Sequence, residues 1–350
     1  MDHPHWLRTV CTTDSVEPVV STTDSVEPSV YQVGRDRGEI AVRSMAAFVL
    51  LALLLGVIPS THALLQVLTF DLDDTLFPCG AVVARANAVL LERLLSCGVD
   101  IQSASEIQTR MRAIREKSST ALTYSGLRTQ AIASLLGESS SAASRTVSAE
   151  QLFSSWLGER QDAANDLLYA GAEDAVRACS QAYPDAIIGA VSNGRGDPME
   201  MSRLASHFDF TVSGEDADVF PERKPSPIIY EHALRRAASV RAARGLADAG
   251  ALAQNWVHVG DCLVNDVSAS KLAGARTVWL DLSAAEEAPK DATAEFVLAG
   301  AGFSTASAEE VARRREAADE ALRSGRVDVR IRSIVELPAA LAELAELARG

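Results

Sequence analysis

The chain has 350 residues and a formal net charge of −14. That length allows one large domain or two modest ones, with enough core to fold without disulfide or metal staples. The acidic balance argues against a general nucleic-acid binder, which needs a basic footprint. Five scattered cysteines (Cys11, Cys79, Cys97, Cys179, Cys262) with no C-x-x-C pair argue against a zinc site or a disulfide framework. They read as free thiols.

Residues 1–44 carry the heptapeptide TTDSVEP twice, at 12–18 and 22–28. Their polar, aperiodic composition predicts disorder, and two copies are too few for a solenoid. From Met45 to Ile58 every residue is apolar or Gly, and no Asp, Glu, Lys or Arg occurs between Arg43 and Asp71. The run is short for a bilayer span and ends near the small-residue site Thr61-His62-Ala63, so 45–63 reads as a signal or anchor segment. Met45 would be the initiator, or the segment would be a signal anchor or part of an organelle-targeting sequence. A core helix is the bland alternative. In use, the segment would contact a membrane or translocon and send the chain to a plastid-like organelle or the secretory route; otherwise the chain would be cytoplasmic.

From residue 64 onward, short apolar runs alternate with longer amphipathic stretches, the pattern of a parallel sheet with crossover helices. Expected strands are Val67–Phe70, Ile187–Val191, Phe210–Val212, Trp256–Val259, Thr277–Leu280 and Val327–Ile331. Helices are expected at Val82–Cys97, Ser105–Lys117, Leu127–Leu136, Ala149–Leu157, Ala172–Ala182, Ile228–Ala238, Ala306–Arg323 and 333–348. Gly137–Ser148, rich in Ser and Ala, reads as a loop.

In doubly wound sheets ligands bind beyond the carboxyl ends of the strands, and there the polar motifs fall. Asp71-Leu72-Asp73-Asp74-Thr75 follows the first run, and Ser192-Asn193-Gly194 the second. Arg223-Lys224-Pro225 follows the third, and Gly260-Asp261 with Asn265-Asp266 the fourth. Each alone has an ordinary reading as a turn, a loop or a helix start. Asp71 and Asp73 at the end of a buried strand suit metal binding and attack on phosphorus.

D-x-D-x-T, S-N, K-P and G-D-x-x-x-N-D, in that order, resemble the haloacid dehalogenase-like (HAD) phosphohydrolase superfamily over residues 64–283. The resemblance implies an α/β fold: a Rossmann-like parallel sheet with helices on both faces and an inserted helical cap of the C1 type. The core would be 64–80 and 183–350, the cap 81–182, and 284–326 an insertion packed on the core rim. The triple arginine 313–315 in that insertion reads as a solvated face before it reads as a phosphate or partner contact. The phrases FDLDDTLF, SNG, HFDF, RKPSPIIY and HVGDCLVNDVSASKLAGARTVWL are closest to proteins similar to flavin mononucleotide (FMN) phosphatases and their plastid relatives. Leu127-Arg128 falls where such caps carry an arginine.

The chemistry this implies is coherent. Asp71 is the nucleophile, giving an aspartyl-phosphate. Asp73 protonates the leaving oxygen, then deprotonates water. Mg²⁺, an oxygen-seeking cation, would be held by Asp71, Asp261 and the main-chain carbonyl of Asp73, with Asp266 on a ligand water or the loop. Ser192 and Asn193 would donate to the phosphoryl group, and Lys224 would supply positive charge. Gly194 and Gly260 would permit close backbone approach, and Cys262 would sit nearby without being a nucleophile. A Mg²⁺-dependent hydrolase of a small phosphate ester follows, with FMN or a riboflavin-pathway phosphate as the specific candidate. Phosphoglycolate, nucleotide or sugar phosphatases, a phosphotransferase, and an inactive binding module are the alternatives. A dehalogenase lacks the aspartate at the position of Asp73, and a P-type pump would show D-K-T-G-T.

Overall fold

The computed structural model describes residues 65–246, 249–282 and 308–347. They fall in the second of two compact units, Ser60–Gly350. The extension expected over 1–44 and the apolar segment 45–63 lie outside the described residues. Among the described residues no helix is long and apolar enough to cross a membrane.

Six strands build the sheet: β1 (Val67–Phe70), β2 (Ile187–Ser192), β3 (Phe210–Ser213), β4 (Trp256–Gly260), β5 (Arg276–Leu280) and β6 (Val329–Ile331). Their order is β3-β2-β1-β4-β5-β6, and every pairing is parallel. The chain leaves β1 in one direction to β2 and β3, then returns to the other side of β1 as β4. That reversal opens a crevice at the carboxyl end of β1. The α/β parallel sheet expected from the sequence is therefore the fold, and each strand lies within a residue or two of its expected bounds.

Helices follow in chain order: α1 (Cys79–Ser96), α2 (Ser105–Lys117), α3 (Tyr124–Glu138), α4 (Ala149–Asp166), α5 (Ala172–Ala182), α6 (Ile228–Ala243), α7 (Ala269–Leu272), α8 (Ala308–Arg323) and α9 (Leu337–Leu347). Local chemistry explains several starts. Thr123 accepts from the Gly126 N–H ahead of α3, and Ser148 with Gln151 forms a reciprocal capping box on α4.

Strand alternation divides the core. Leu68, Phe70, Ile188, Ala190, Val257 and Val259 turn to one face, where α5 and α9 cover them. Val67, Ile187, Val191 and Trp256 turn to the other, under α6. Covering both faces is why the strands read as continuous apolar runs. A separate apolar cluster joins α1, α2, α3 and the first half of α4 around Leu90, Ile107, Ile132 and Trp156. The second half of α4 leaves that cluster, and Ala163 and Ala164 join the sheet core. So does α5, through Ala172, Ala175, Val176 and Cys179. The sequence boundary at 182 had grouped α5 with the inserted helices; its packing is with the sheet. Of the insertion expected at 284–326, residues 284–307 lie outside the described residues. Its helix α8 packs Ala318 and Ala321 on Leu263 and Val267, just after β4.

Candidate active site

Asp71 is the first residue past β1, and its N–H donates to the Val259 carbonyl at the end of β4 (2.8 Å). Its carboxylate is held by Lys224 Nζ at 2.6 Å. The same ammonium reaches Asp266 Oδ1 at 2.7 Å. One buried lysine therefore joins two buried carboxylates from two loops. Asp261 stands beside them, and Asp71, Asp261 and Asp266 each offer an oxygen within 4.8 Å of the others. Thr75 Oγ1 lies 3.4 Å from both Asp71 Oδ2 and Asp261 Oδ1.

Four loops bring these groups together because the strands end at one level. Val67 pairs with both Ile187 and Trp256, so β1, β2 and β4 finish side by side. A side chain at Gly260 would strike Asp266 Cβ at 2.4 Å, so glycine there lets the Asp266 loop fold back over the strand end. At Gly194, expected for the same reason, a Cβ would meet nothing closer than Asp73 Oδ2 at 3.7 Å, so close approach does not require it. Asp74 takes a left-handed conformation (φ 59°), and its carboxylate accepts from the Cys79 N–H at 2.9 Å, which starts α1.

Electrostatics follows from burial. Desolvation pushes Asp71 up to about 7, against the pull of Lys224. Burial, with Asp266 and Asp71 nearby, pushes Asp261 well above the usual carboxylate range. At Asp266 burial is outweighed by Lys224 and His258, and the group falls to about 2. Burial works against the charge on Lys224 too, but Asp266 and Asp71 win and raise its pKa. The lysine stays charged and Asp266 is its permanent counterion.

A polar relay lies behind this centre. Trp256 Nε1 donates to Thr69 Oγ1 (2.8 Å), which sits 2.8 Å from His258 Nδ1. His258 Nε2 faces Tyr230 Oη at 3.4 Å and Asp266 Oδ1 at 3.5 Å. Burial lowers the His258 pKa to about 4, so the ring is neutral and orients Asp266 without adding charge. Tyr230 donates to the Asn265 carbonyl at 2.6 Å and fixes the same loop.

The structure brings Asp71, Lys224, Asp261 and Asp266 into one crater, with Ser192 at the end of β2. Ser192 Oγ accepts from the Gly194 N–H at 3.2 Å, which leaves its hydroxyl proton free to donate. Asn193 has a structural role as well. Its amide Nδ2 donates to the Lys224 carbonyl (3.1 Å), and its Oδ1 accepts from the Lys224 N–H (2.8 Å). The side chain expected to grip phosphate clamps the main chain of the lysine, and its second amide proton is left for that donation. The Asp73 carboxylate is not among the three clustered acids; it pairs with Arg160 Nη2 at 2.7 Å. That leaves its main-chain carbonyl as the ligand the resemblance implied. The thiol of Cys262 accepts from the Asn265 N–H, and burial pushes its pKa up to about 12, so it stays protonated.

Arg160, Thr69 and His258 escaped the sequence reading. Arg160 lies one turn beyond Trp156 on the buried face of α4, and a charged residue at an apolar i,i+4 position was its signal. His258 had the signal of a polar residue in the middle of an apolar strand.

The donors suit a hard divalent cation. They are all carboxylate oxygens, and burial beside one another drives Asp71 and Asp261 up, a repulsion that a cation would relieve.

Comparison with known proteins places the chain in a family. Residues 65–274 match the family model described as haloacid dehalogenase-like hydrolase. The 2-haloacid dehalogenase from Pseudomonas syringae pv. Tomato DC3000 shares 21% identity at a TM-score of 0.54, covering 80% of this chain and 99% of that one. The HAD phosphatase from Thermococcus onnurineus shares 16% at a TM-score of 0.43, covering 79% and 98%. A predicted phosphoglycolate phosphatase from Haemophilus somnus 129PT shares 15% at 0.39, covering 79% and 97%. At such identities the first of these speaks for the fold alone. No curated protein matches.

Proposed function

The chain belongs to the haloacid dehalogenase-like hydrolases, and from that premise we propose that it is a Mg²⁺-dependent phosphomonoester hydrolase working through an aspartyl-phosphate on Asp71. The observation that carries the reading is the ion pair of Lys224 with Asp71 and Asp266, with Asp261 alongside and Asp73 two residues after Asp71. A carboxylate at Asp73 distinguishes this site from a dehalogenase, which has no leaving alkoxide to protonate.

In the first half-reaction an Asp71 oxygen forms a bond to phosphorus. The bond from phosphorus to the ester oxygen breaks, and that oxygen leaves with the proton of Asp73. In the second, Asp73 takes a proton from water, the hydroxide attacks phosphorus, and the Asp71 carboxylate is released with inorganic phosphate. Lys224 pulls Asp71 toward its ionised form and faces the charge that develops on the phosphoryl oxygens. Ser192 donates its hydroxyl to the same oxygens. Asn193 and Asp266 act on Lys224, one through its main chain and one through its ammonium. Asp71, Asp261 and the main-chain oxygen of Asp73 would hold Mg²⁺, with Asp266 behind them, and the cation would supply charge neutralisation between phosphate and carboxylates.

The cluster of α1, α2, α3 and the first half of α4 is the cap in this reading, and it selects the leaving group. The phrases that resemble FMN phosphatases belong to the core and not to the cap. FMN and riboflavin-pathway phosphates therefore stand in one panel with phosphoglycolate, nucleotides and sugar phosphates. Residues 45–63 are proposed as the targeting segment, which mass spectrometry of the mature N-terminus tests.

The mechanism is tested with p-nitrophenyl phosphate. Asp71→Asn and EDTA-treated wild type should each lose phosphate release. Full turnover by either preparation rejects the mechanism.

A further inference from the structure

The peptide that follows Asp261 is held at both ends. Its carbonyl accepts from Trp279 Nε1 at 2.8 Å. Its N–H, that of Cys262, donates to Asp266 Oδ2 at 3.0 Å. Asp261 comes straight after β4, whose last residue, Gly260, pairs with Trp279 on β5. The strand fixes the backbone before Asp261, and the clamped peptide fixes it behind. Together they set the direction in which the Asp261 carboxylate leaves the main chain. That direction is under load. Asp71, Asp261 and Asp266 bring oxygens within 4.8 Å of one another, and like charges so close push apart unless the backbone resists.

Trp279 is itself braced against turning away. Strand alternation sends Val278 and Leu280 into the sheet core and Trp279 to the opposite face. There the indole packs on the cluster that joins Leu263 and Val267 of the Asp266 loop to Ala318 and Ala321 of α8. Arg330, its partner on β6, lies with its guanidinium carbon 4.9 Å from the ring centroid. Arg330 is anchored in turn by Asp281. Packing alone would account for an apolar ring at this place, and a phenyl ring would serve. It does not account for the N–H, which is spent on the one carbonyl next to Asp261.

We infer that Trp279 is a positioning residue for Asp261, and that by clamping the Asp261 carbonyl it biases the acid cluster toward Mg²⁺ and against Ca²⁺. Mg²⁺ demands near-ideal oxygen geometry at short distance, whereas Ca²⁺ accepts looser and more varied sets. A loop free to drift therefore costs the smaller ion more. Groups that orient a ligand from behind typically govern metal affinity about 10- to 100-fold. The inference rests on the proposed cation reading and extends it to a residue outside the four motifs. It also gives α8 a task, as the outer wall of the brace.

The test reads binding without turnover. Melting temperature of the full chain is followed against Mg²⁺ and, separately, Ca²⁺ with no substrate present, and each curve yields a dissociation constant. Trp279→Phe should weaken Mg²⁺ about tenfold and Ca²⁺ no more than about threefold. Trp156→Phe is the control. It removes another indole bond, to Asn87 Oδ1 at 2.9 Å in the helical cluster of α1 to α4, and should lower the melting temperature while both constants stay as in wild type. An unchanged Mg²⁺ constant in Trp279→Phe overturns the inference. So does equal weakening of both cations, or the same shift in Trp156→Phe, since either means general loosening. If Trp279→Phe does not fold, benzothienylalanine at position 279 keeps the ring shape and lacks only the N–H; the same loss of Mg²⁺ preference is expected, and wild-type constants refute the idea. Wild type whose melting temperature ignores Mg²⁺ sinks the cation reading and this inference with it, whereas a wild-type response that the variants share sinks the inference alone.

Discussion

Replacing Lys224 by Met keeps a long apolar stem and removes a charge that touches Asp71 at 2.6 Å and Asp266 at 2.7 Å. At an effective dielectric of about 20, each contact at such a distance is worth roughly 6 kcal/mol before desolvation is counted. Desolvation cancels much of that, and losing one partner of a buried pair costs about 3–5 kcal/mol net. The protein has one way to relieve the loss. Burial already holds Asp71 at about 7 even with the lysine in place, and without Lys224 it is pushed higher and takes a proton. Its raised pKa means that stability is present at low pH and is lost as pH rises through the folded-state value. Wild type therefore levels off near pH 7 with respect to Asp71, while the variant keeps losing up to about 1.4 kcal/mol per pH unit above that. On the proposed mechanism catalysis suffers twice. A protonated Asp71 is no nucleophile, and one donor to the transition state is gone, which alone costs about 10²–10³ in kcat. The assays are urea melts at pH 6, 7 and 8, and kcat on p-nitrophenyl phosphate with Mg²⁺ in excess. A variant that keeps more than about a tenth of wild-type kcat, or whose stability gap does not widen with pH, shows that Lys224 does not hold the nucleophile ionised.

Asn193→Ala removes both bonds to the Lys224 main chain, about 1 kcal/mol each. Its kcat should fall roughly tenfold or more with little change in KM; a rise in KM at constant kcat would return Asn193 to phosphate binding. Without metal, Asp71 and Asp74 sit at about 7 and about 6, both above their unfolded value of 3.8. Burial is the main cause in both, so the stability they contribute is intact below pH 4 and drains away as pH rises through 6 and 7. Asp266, at about 2, has the opposite sign and loses its contribution only as pH falls below 3.8. The melting temperature in EDTA should therefore fall between pH 5 and 7.5, and Mg²⁺ should reverse most of that fall. A flat EDTA profile in differential scanning fluorimetry would contradict the assignment.

The sequence by itself determined the strands and the acids at their ends. Strands covered on both faces must be apolar throughout, so Val67–Phe70 and Ile187–Ser192 stand out in the chain. The ordered motifs beyond those strands carry the family resemblance, and through it Asp71, Ser192, Lys224 and Asp261 could be named. What escaped were roles set by partners distant in sequence. Asn193 shows no tie to Lys224 until the fold places the Lys224 main chain, 31 residues away, against both ends of its amide. Thr69 and His258 are 189 residues apart and meet because β1 and β4 are neighbours in register. Arg160 was lost for a local reason: the polar run Gly158–Asp162 reads as the end of a helix at Leu157. The helix in fact continues to Asp166, because Ala163 and Ala164 find apolar surface on the sheet. Burial against that sheet outweighs weak local propensity. It also carries one guanidinium from the inserted helices to Asp73.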